Sequence, residues 1–133
     1  PYAGLSQRTR ASGLECSRES VFSVTAQEYQ AVPKIRTMLR SRPRFTAVLA
    51  FDETVAAVVE KVAQEEHMRV PQDLSIVCIQ RKGAEPAYYS GPCVDFVEMG
   101  RQAVRMLLQP KMPPRHERIK AVWEQGRTIQ AVK

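Results

Sequence analysis

The side chains able to do chemistry are few and far apart. The two histidines, His67 and His116, have no nucleophile motif beside them. The chain holds no Gly-x-Gly-x-x-Gly, no P-loop and no Gly-x-Ser-x-Gly elbow. Isolated histidines without a partnered serine or cysteine make no acid–base pair, so the expectation is a non-enzyme without a cofactor. The cysteines, Cys16, Cys78 and Cys93, are odd in number and no two stand at metal-ligand spacing. That argues against a disulfide framework or a metal site and suits a reducing cytoplasm. Basic residues gather at Arg36, Arg40, Arg42 and Arg44, and again at Lys111, Arg115, Arg118 and Lys120. Neither group is interleaved with aromatics, so a solvated surface is favoured over a polyanion contact. What is left for binding is polar groups at the ends of apolar runs.

Two such runs matter most. Residues 45–51, Phe-Thr-Ala-Val-Leu-Ala-Phe, are nearly all apolar, as in a parallel strand covered on both faces. Asp52 closes the run and is placed to cap a helix in which Val55, Val58, Val59, Val62 and Ala63 recur at helical spacing. Residues 74–79 form the second run, in which Cys78 reads as a small buried hydrophobe. Around these the pattern alternates. A surface helix is expected near residues 4–12, a short strand at 20–24, and a helix ending near Ser41 with Pro33 either in its first turn or kinking it. Residues 80–92 read as a loop, 97–108 as an amphipathic helix, and 119–123 as a last strand in which Trp123 is core. Alternation of this kind predicts an α/β fold: a parallel sheet with right-handed crossovers and helices on both faces, three layers in all. Ligands on such sheets bind beyond the carboxyl ends of the strands. That singles out Phe51-Asp52 and Gln80-Arg81.

Composition narrows the class. The chain has 133 residues, 44% hydrophobic and 26% charged, with a formal net charge of +6. One compact domain fits that length, and disorder is excluded. No apolar run approaches the roughly 20 residues of a membrane span. The chain opens at Pro1 without a basic segment followed by an apolar stretch, so no signal segment is visible and a fragment or processed chain is expected.

The stretch Thr46-Ala47-Val48-Leu49-Ala50-Phe51-Asp52-Glu53, followed by a helix and by Arg69-Val70-Pro71-Gln72-Asp73-Leu74-Ser75-Ile76-Val77, resembles the lactose-repressor (LacI/GalR) family of bacterial transcription regulators. That family has a strand ending in Asn-Asp, a helix, and a Val-Pro-x-Asp-(Ile/Val/Leu)-Ser-Val phrase at this offset. Glu98-Met99-Gly100-Arg101-Gln102-Ala103 resembles its Glu-Met-Gly-x-x-Ala helix, Gly126-Arg127-Thr128 its terminal Arg-Gly-Ser-Thr element, and Gly4 with Gly13-Leu14 its Gly-Phe…Gly-Leu helix. The resemblance covers nearly the whole chain. It implies one lobe of a periplasmic-binding-protein-like type I fold, which has two Rossmann-like lobes about a ligand cleft. By that resemblance residues 1–93 are most of the C-terminal lobe, 94–122 belong to the N-terminal lobe, and 123–133 cross back. The apolar face of helix 97–108 would then need a sheet from elsewhere or another chain to cover it.

The resemblance also implies site residues. The family's Asn-Asp corresponds to Phe51-Asp52, and the first acid of its Gly-(Phe/Tyr)-Asp-Asp corresponds to Gln80. A pocket arginine of the family would fall on Pro1. Asp52 is thus a helix N-cap alone, or a cap that also accepts hydroxyls from a polyol. Gln80 can do the same without charge, or is a plain polar strand end. Phe51 either stacks on a sugar ring or ends its strand in the core, and Phe22 is a further candidate for the cleft. His67 stands where the family has a helix-terminating glycine, and is expected to adopt a left-handed cap. No metal site is implied.

The implied function is effector binding and dimerisation in a cytoplasmic bacterial regulator. The effector would be a sugar or related small polar molecule. Operator DNA would be contacted through a headpiece outside this chain, and control would be allosteric, requiring different effector affinities in two states. A periplasmic sugar-binding protein of a transporter is the alternative on the same fold. The Val-Pro-Gln-Asp-Leu-Ser phrase, the unpaired cysteines and the lack of a signal segment favour the regulator.

Overall fold

The computed structural model of the chain describes residues 11, 20–24, 28–41, 44–83, 87–108 and 116–131. In chain order the described elements are α1 (Glu28–Arg40), β1 (Ala47–Ala50), α2 (Glu53–Glu65), β2 (Ser75–Cys78), β3 (Gln80–Arg81), β4 (Gly91–Val94), α3 (Phe96–Leu107) and β5 (Val122–Glu124). Of the expected helix near residues 4–12, only Ala11, which is helical, is among the described residues.

β1 and β2 run parallel, with Ala47 opposite Ser75, Val48 opposite Ile76, Leu49 opposite Val77 and Ala50 opposite Cys78. A strand's side chains alternate between faces. Val48, Ala50, Ile76 and Cys78 therefore share one face, and all join the main apolar cluster. α2 covers that face with Ala56, Val59, Val62 and Ala63, each nearly or fully buried. α1 packs along α2 through Ala31, Ile35, Met38 and Leu39. Ion pairs fasten the two helices: Arg36 to Glu65 and Glu66, and Arg40 to Glu66 at 2.7 Å. Arg36 and Arg40 are thereby committed to structure, which accounts for half of the first basic cluster.

The remaining strands differ from the expectation of a purely parallel sheet. β3 pairs with β4 in parallel, and β5 then runs antiparallel to β4, with Pro92 opposite Trp123. Part of the stretch expected to be loop is therefore strand. A parallel bridge between Val77 and Ser90, with the Cys78 N–H donating to the Ser90 carbonyl at 3.0 Å, ties β2 to the start of β4. Gly91 permits this approach, since a Cβ there would run into the Cys78 carbonyl. The segment after β5 returns to β2. Thr128 is buried; its hydroxyl donates to the Ile76 carbonyl at 2.6 Å and accepts from the Ser90 N–H at 3.0 Å.

Residues 20–24 form no strand. Phe51 and Trp123, read as possible core, are exposed: β1 stops at Ala50, and among the described residues nothing buries the Trp123 face of β5. His67 does take the left-handed conformation, with φ +57°, and closes α2: its N–H donates to the Gln64 carbonyl and the Met68 N–H to the Ala63 carbonyl. That pair of bonds is a Schellman ending.

Candidate functional site

The parallel pairing of β1 and β2 decides where polar groups converge. The Ile79 N–H donates to the Ala50 carbonyl at 3.2 Å, carrying the pairing one step past the strand ends. Phe51-Asp52 and Ile79-Gln80 are therefore neighbours on one rim at the carboxyl edge of the sheet. The α2 N-terminus lies on the same rim because Asp52 both ends β1 and caps α2.

Each rim residue has a distinct commitment. Asp52 is half-buried and its Oδ1 accepts the Val55 N–H at 2.8 Å, so the capping role is real. Gln80 is only 3% exposed, and its amide Nε2 donates to the Tyr89 carbonyl at 2.8 Å. It is a fixed part of the wall rather than a free polar tip. Phe51 is 79% exposed and presents a ring at the edge of the rim. Phe22 is elsewhere: its ring meets Phe45 edge-on at 6.2 Å, at the amino end of β1. Six residues of extended chain, roughly 20 Å, separate Phe45 from Phe51. The structure thus brings Phe51, Asp52 and Gln80 together and leaves Phe22 out. Phe22 finds an aromatic partner before β1 starts instead of joining a strand that would carry it to the rim.

Two neighbours complete the rim, and sequence reading did not single out their pairing. Arg81, one step past Gln80, turns to the opposite face and lies 4.0 Å from Glu53 in the first turn of α2, with Arg81 well exposed and Glu53 half-buried. Lys82 pairs with Asp95 at 3.0 Å. Asp95 also caps α3 by accepting the Glu98 N–H at 2.8 Å. The Glu98 N–H first, and Lys82 second, hold the Asp95 carboxyl below its ordinary range. The alternation of Gln80 inward and Arg81 outward was available in the sequence once β3 was recognised as a strand.

This rim can accept and donate hydrogen bonds side by side and can offer an aromatic face. Among the described residues it holds no nucleophile. Cys78, just behind it, is fully buried, and burial first, then the nearby Glu53 and Asp52 charges, pushes its thiol up to about 12. Among the described residues no group of three His, Cys, Asp or Glu is placed to hold a metal ion. No described helix is long and apolar enough to cross a membrane.

Parallel strands, a crossover helix capped at the strand tip and a polar rim define a Rossmann-like α/β lobe. The chain belongs to the periplasmic binding protein-like domain family, whose model matches residues 2–129. It is 35% identical over 80 residues to the ribose operon repressor of Haemophilus influenzae, an alignment covering 56% of this chain and 24% of that protein. Its fold matches a LacI family transcriptional regulator from Bifidobacterium animalis subsp. lactis with a TM-score of 0.81 at 20% identity, over 96% of this chain and 48% of that one. It also matches a LacI family transcriptional regulator from an Arthrobacter species in complex with lactose, with a TM-score of 0.75 at 20% identity, over 96% of this chain and 50% of that one. The chain spans about half the length of these solved relatives.

Proposed function

We propose that this chain is effector-binding and dimerisation machinery of a cytoplasmic, LacI-type transcriptional regulator. Its role is non-catalytic: a small polar effector of the sugar class binds at the rim and biases DNA binding by a headpiece elsewhere in the regulator. The observation that carries this reading is the shared rim of Phe51, Asp52 and Gln80 at the carboxyl ends of the parallel β1 and β2. In the proposed roles Asp52 accepts sugar hydroxyls while capping α2, Phe51 covers a ring face, and Gln80 shapes the wall. The family membership, the regulator names of the relatives and the lactose held by one of them support the same reading.

In this reading residues 1–93 form most of one lobe, residues 94–122 belong with the opposite lobe, and residues 123–133 return to the first. The antiparallel exit of β5 and the anchoring of Thr128 on β2 support that path. The assembly is a homodimer.

Thermal unfolding against a panel of pentoses, hexoses and disaccharides tests the proposal. A ligand that binds only the native state raises the midpoint with concentration. At least one sugar is expected to do so, and Asp52→Asn, which keeps a capping oxygen, is expected to remove the ligand-induced rise while leaving the ligand-free midpoint close to wild type. No concentration-dependent rise with any sugar, or a rise untouched by Asp52→Asn, overturns it. The 133-residue chain is not expected to retard operator DNA specifically in a band shift.

A further inference from the structure

We propose that Lys82 and Asp95 form a latch between the two lobes, which holds α3 at a set angle to the effector rim. The inference rests on the proposed path in which residues 94–122 belong with the opposite lobe. On that path α3 moves with the opposite lobe, so whatever fixes α3 against β3 sets the angle at which the lobes rest. Two features leave that angle open. None of the residues of α3 is buried, so packing among the described residues does not fix its direction. Strand pairing does not reach it either. β3 and β4 pair up to Arg81 opposite Val94, and β5 meets β4 from Gly91 to Cys93. One backbone bond goes a step further, the Lys82 N–H donating to the Val94 carbonyl at 3.0 Å. Past it the chain turns into α3 on the soft dihedrals of Asp95.

The Asp95 carboxylate closes that gap, and its two oxygens have separate duties. Oδ1 accepts the Glu98 N–H at 2.8 Å, which ties the carboxylate to the first turn of α3. Oδ2 accepts from Lys82 Nζ at 3.0 Å, which ties it to the end of β3. α3 therefore cannot swing away from β3 without breaking a charge-assisted hydrogen bond. Lys82 is 65% exposed and Asp95 27%, and pairs open to water add little to stability. A latch asks less of the pair than stability does. A modest preference is enough to choose a direction when neither packing nor strand pairing opposes the swing.

The latch also reaches the rim. Arg81, next to Lys82, faces Glu53 at 4.0 Å in the first turn of α2. Glu53, Arg81, Lys82 and Asp95 thus run acid, base, base, acid from the start of α2 to the start of α3. Gln80, the wall of the rim, stands two residues before Lys82 on the same short strand. A molecule that engages the rim and shifts the end of β3 moves Lys82 with it, and α3 follows through Asp95. Lys82 and Asp95 are in this sense positioning residues: they transmit the state of the rim without being required to touch the effector.

The test uses no sugar, so its failure leaves effector binding standing, and failure of every sugar to bind leaves the latch standing. Residual dipolar couplings of the backbone amides, measured on the 133-residue chain in a stretched polyacrylamide gel, report the direction of each helix. In the wild type the couplings of α2 and α3 are expected to fit one alignment tensor. Lys82→Met keeps the aliphatic stem and the backbone bond to Val94. In it the α3 couplings are expected to shrink at least twofold against those of α2, with α3 still helical by its Cα shifts and the unfolding midpoint close to wild type. Asp95→Asn keeps an oxygen for the Glu98 N–H and loses the charge. It is expected to have the same effect, and the double variant to add nothing to either single one. About 1 M salt, which screens exposed charges beyond about 3 Å, is expected to move the wild type toward the variants and leave the variants unmoved. Undiminished α3 couplings in Lys82→Met overturn the proposal, as does a wild type in which α2 and α3 already fit separate tensors. So does loss of α3 helicity in Lys82→Met, which would make the pair a brace for the helix itself.

Discussion

His67 ends α2 in a left-handed conformation that L-residues adopt at a cost of about 1–2 kcal/mol and glycine adopts freely. His67→Gly is expected to stabilise the chain by about 1 kcal/mol, read as a higher urea midpoint at unchanged slope. At the other end of α2, Asp52→Ala removes the carboxylate that receives the Val55 N–H and is expected to cost about 1 kcal/mol. Behind the rim, burial and the raised pKa of Cys78 deny it thiolate character. Native-state alkylation followed by peptide mapping is expected to leave Cys78 unmodified until the chain unfolds. Modification at the native rate of a free thiol would contradict its placement. Both His67 and Cys78 were legible from sequence, one by its position after a helix, the other by its apolar neighbours. The structural role of Gln80 was not, because its partner, the Tyr89 carbonyl, is reached only when β4 folds beside β2.

At the scale of elements, the return of the chain onto β2 depends on one side chain. Thr128 satisfies both the Ile76 carbonyl and the Ser90 N–H inside the fold. Thr128→Val keeps the shape but strands both groups, at a cost of about 1–3 kcal/mol each. Chemical denaturation is expected to show a large loss, and a change below ~0.5 kcal/mol would contradict the geometry. Sequence pattern located β1, α2 and β2 well, because their apolar residues face the main cluster with strand or helix period. It failed where burial does not write the pattern. β3 is two residues long, β5 exposes both faces, and α3 keeps its helical period while burying none of it. The site followed the same division. Phe51, Asp52 and Gln80 were brought together because two well-patterned strands end there, whereas Phe22 was misplaced because residues 20–24 form no strand.

For the whole molecule, the ion pairs set the acid limit. Arg69, by side-chain and then backbone hydrogen bonds, holds the Asp73 carboxyl down at about 2. Arg40 foremost, with Arg36 helping, lowers Glu66 as it clasps α1 to α2. A carboxylate whose folded pKa is depressed contributes stability that is complete above its unfolded value and is lost as pH falls toward the folded one. Acid destabilisation is therefore expected to begin near pH ~4 and continue to about 2. Unfolding midpoints measured across that interval check it, and the loss is expected to be steeper in low salt, since these pairs are exposed. Cys78 has the opposite sign. Its raised pKa favours the folded state at neutral pH, and that contribution drains away as pH climbs toward about 12.

The most direct measurement is a residue-resolved amide NMR titration of the 133-residue chain with ribose, lactose and cellobiose. Shifts that saturate and concentrate at residues 51–54 and 79–82 are expected for at least one of them. Saturating shifts centred on another face, or none at millimolar sugar from any of the three, would contradict an effector wall at the joined ends of β1 and β2.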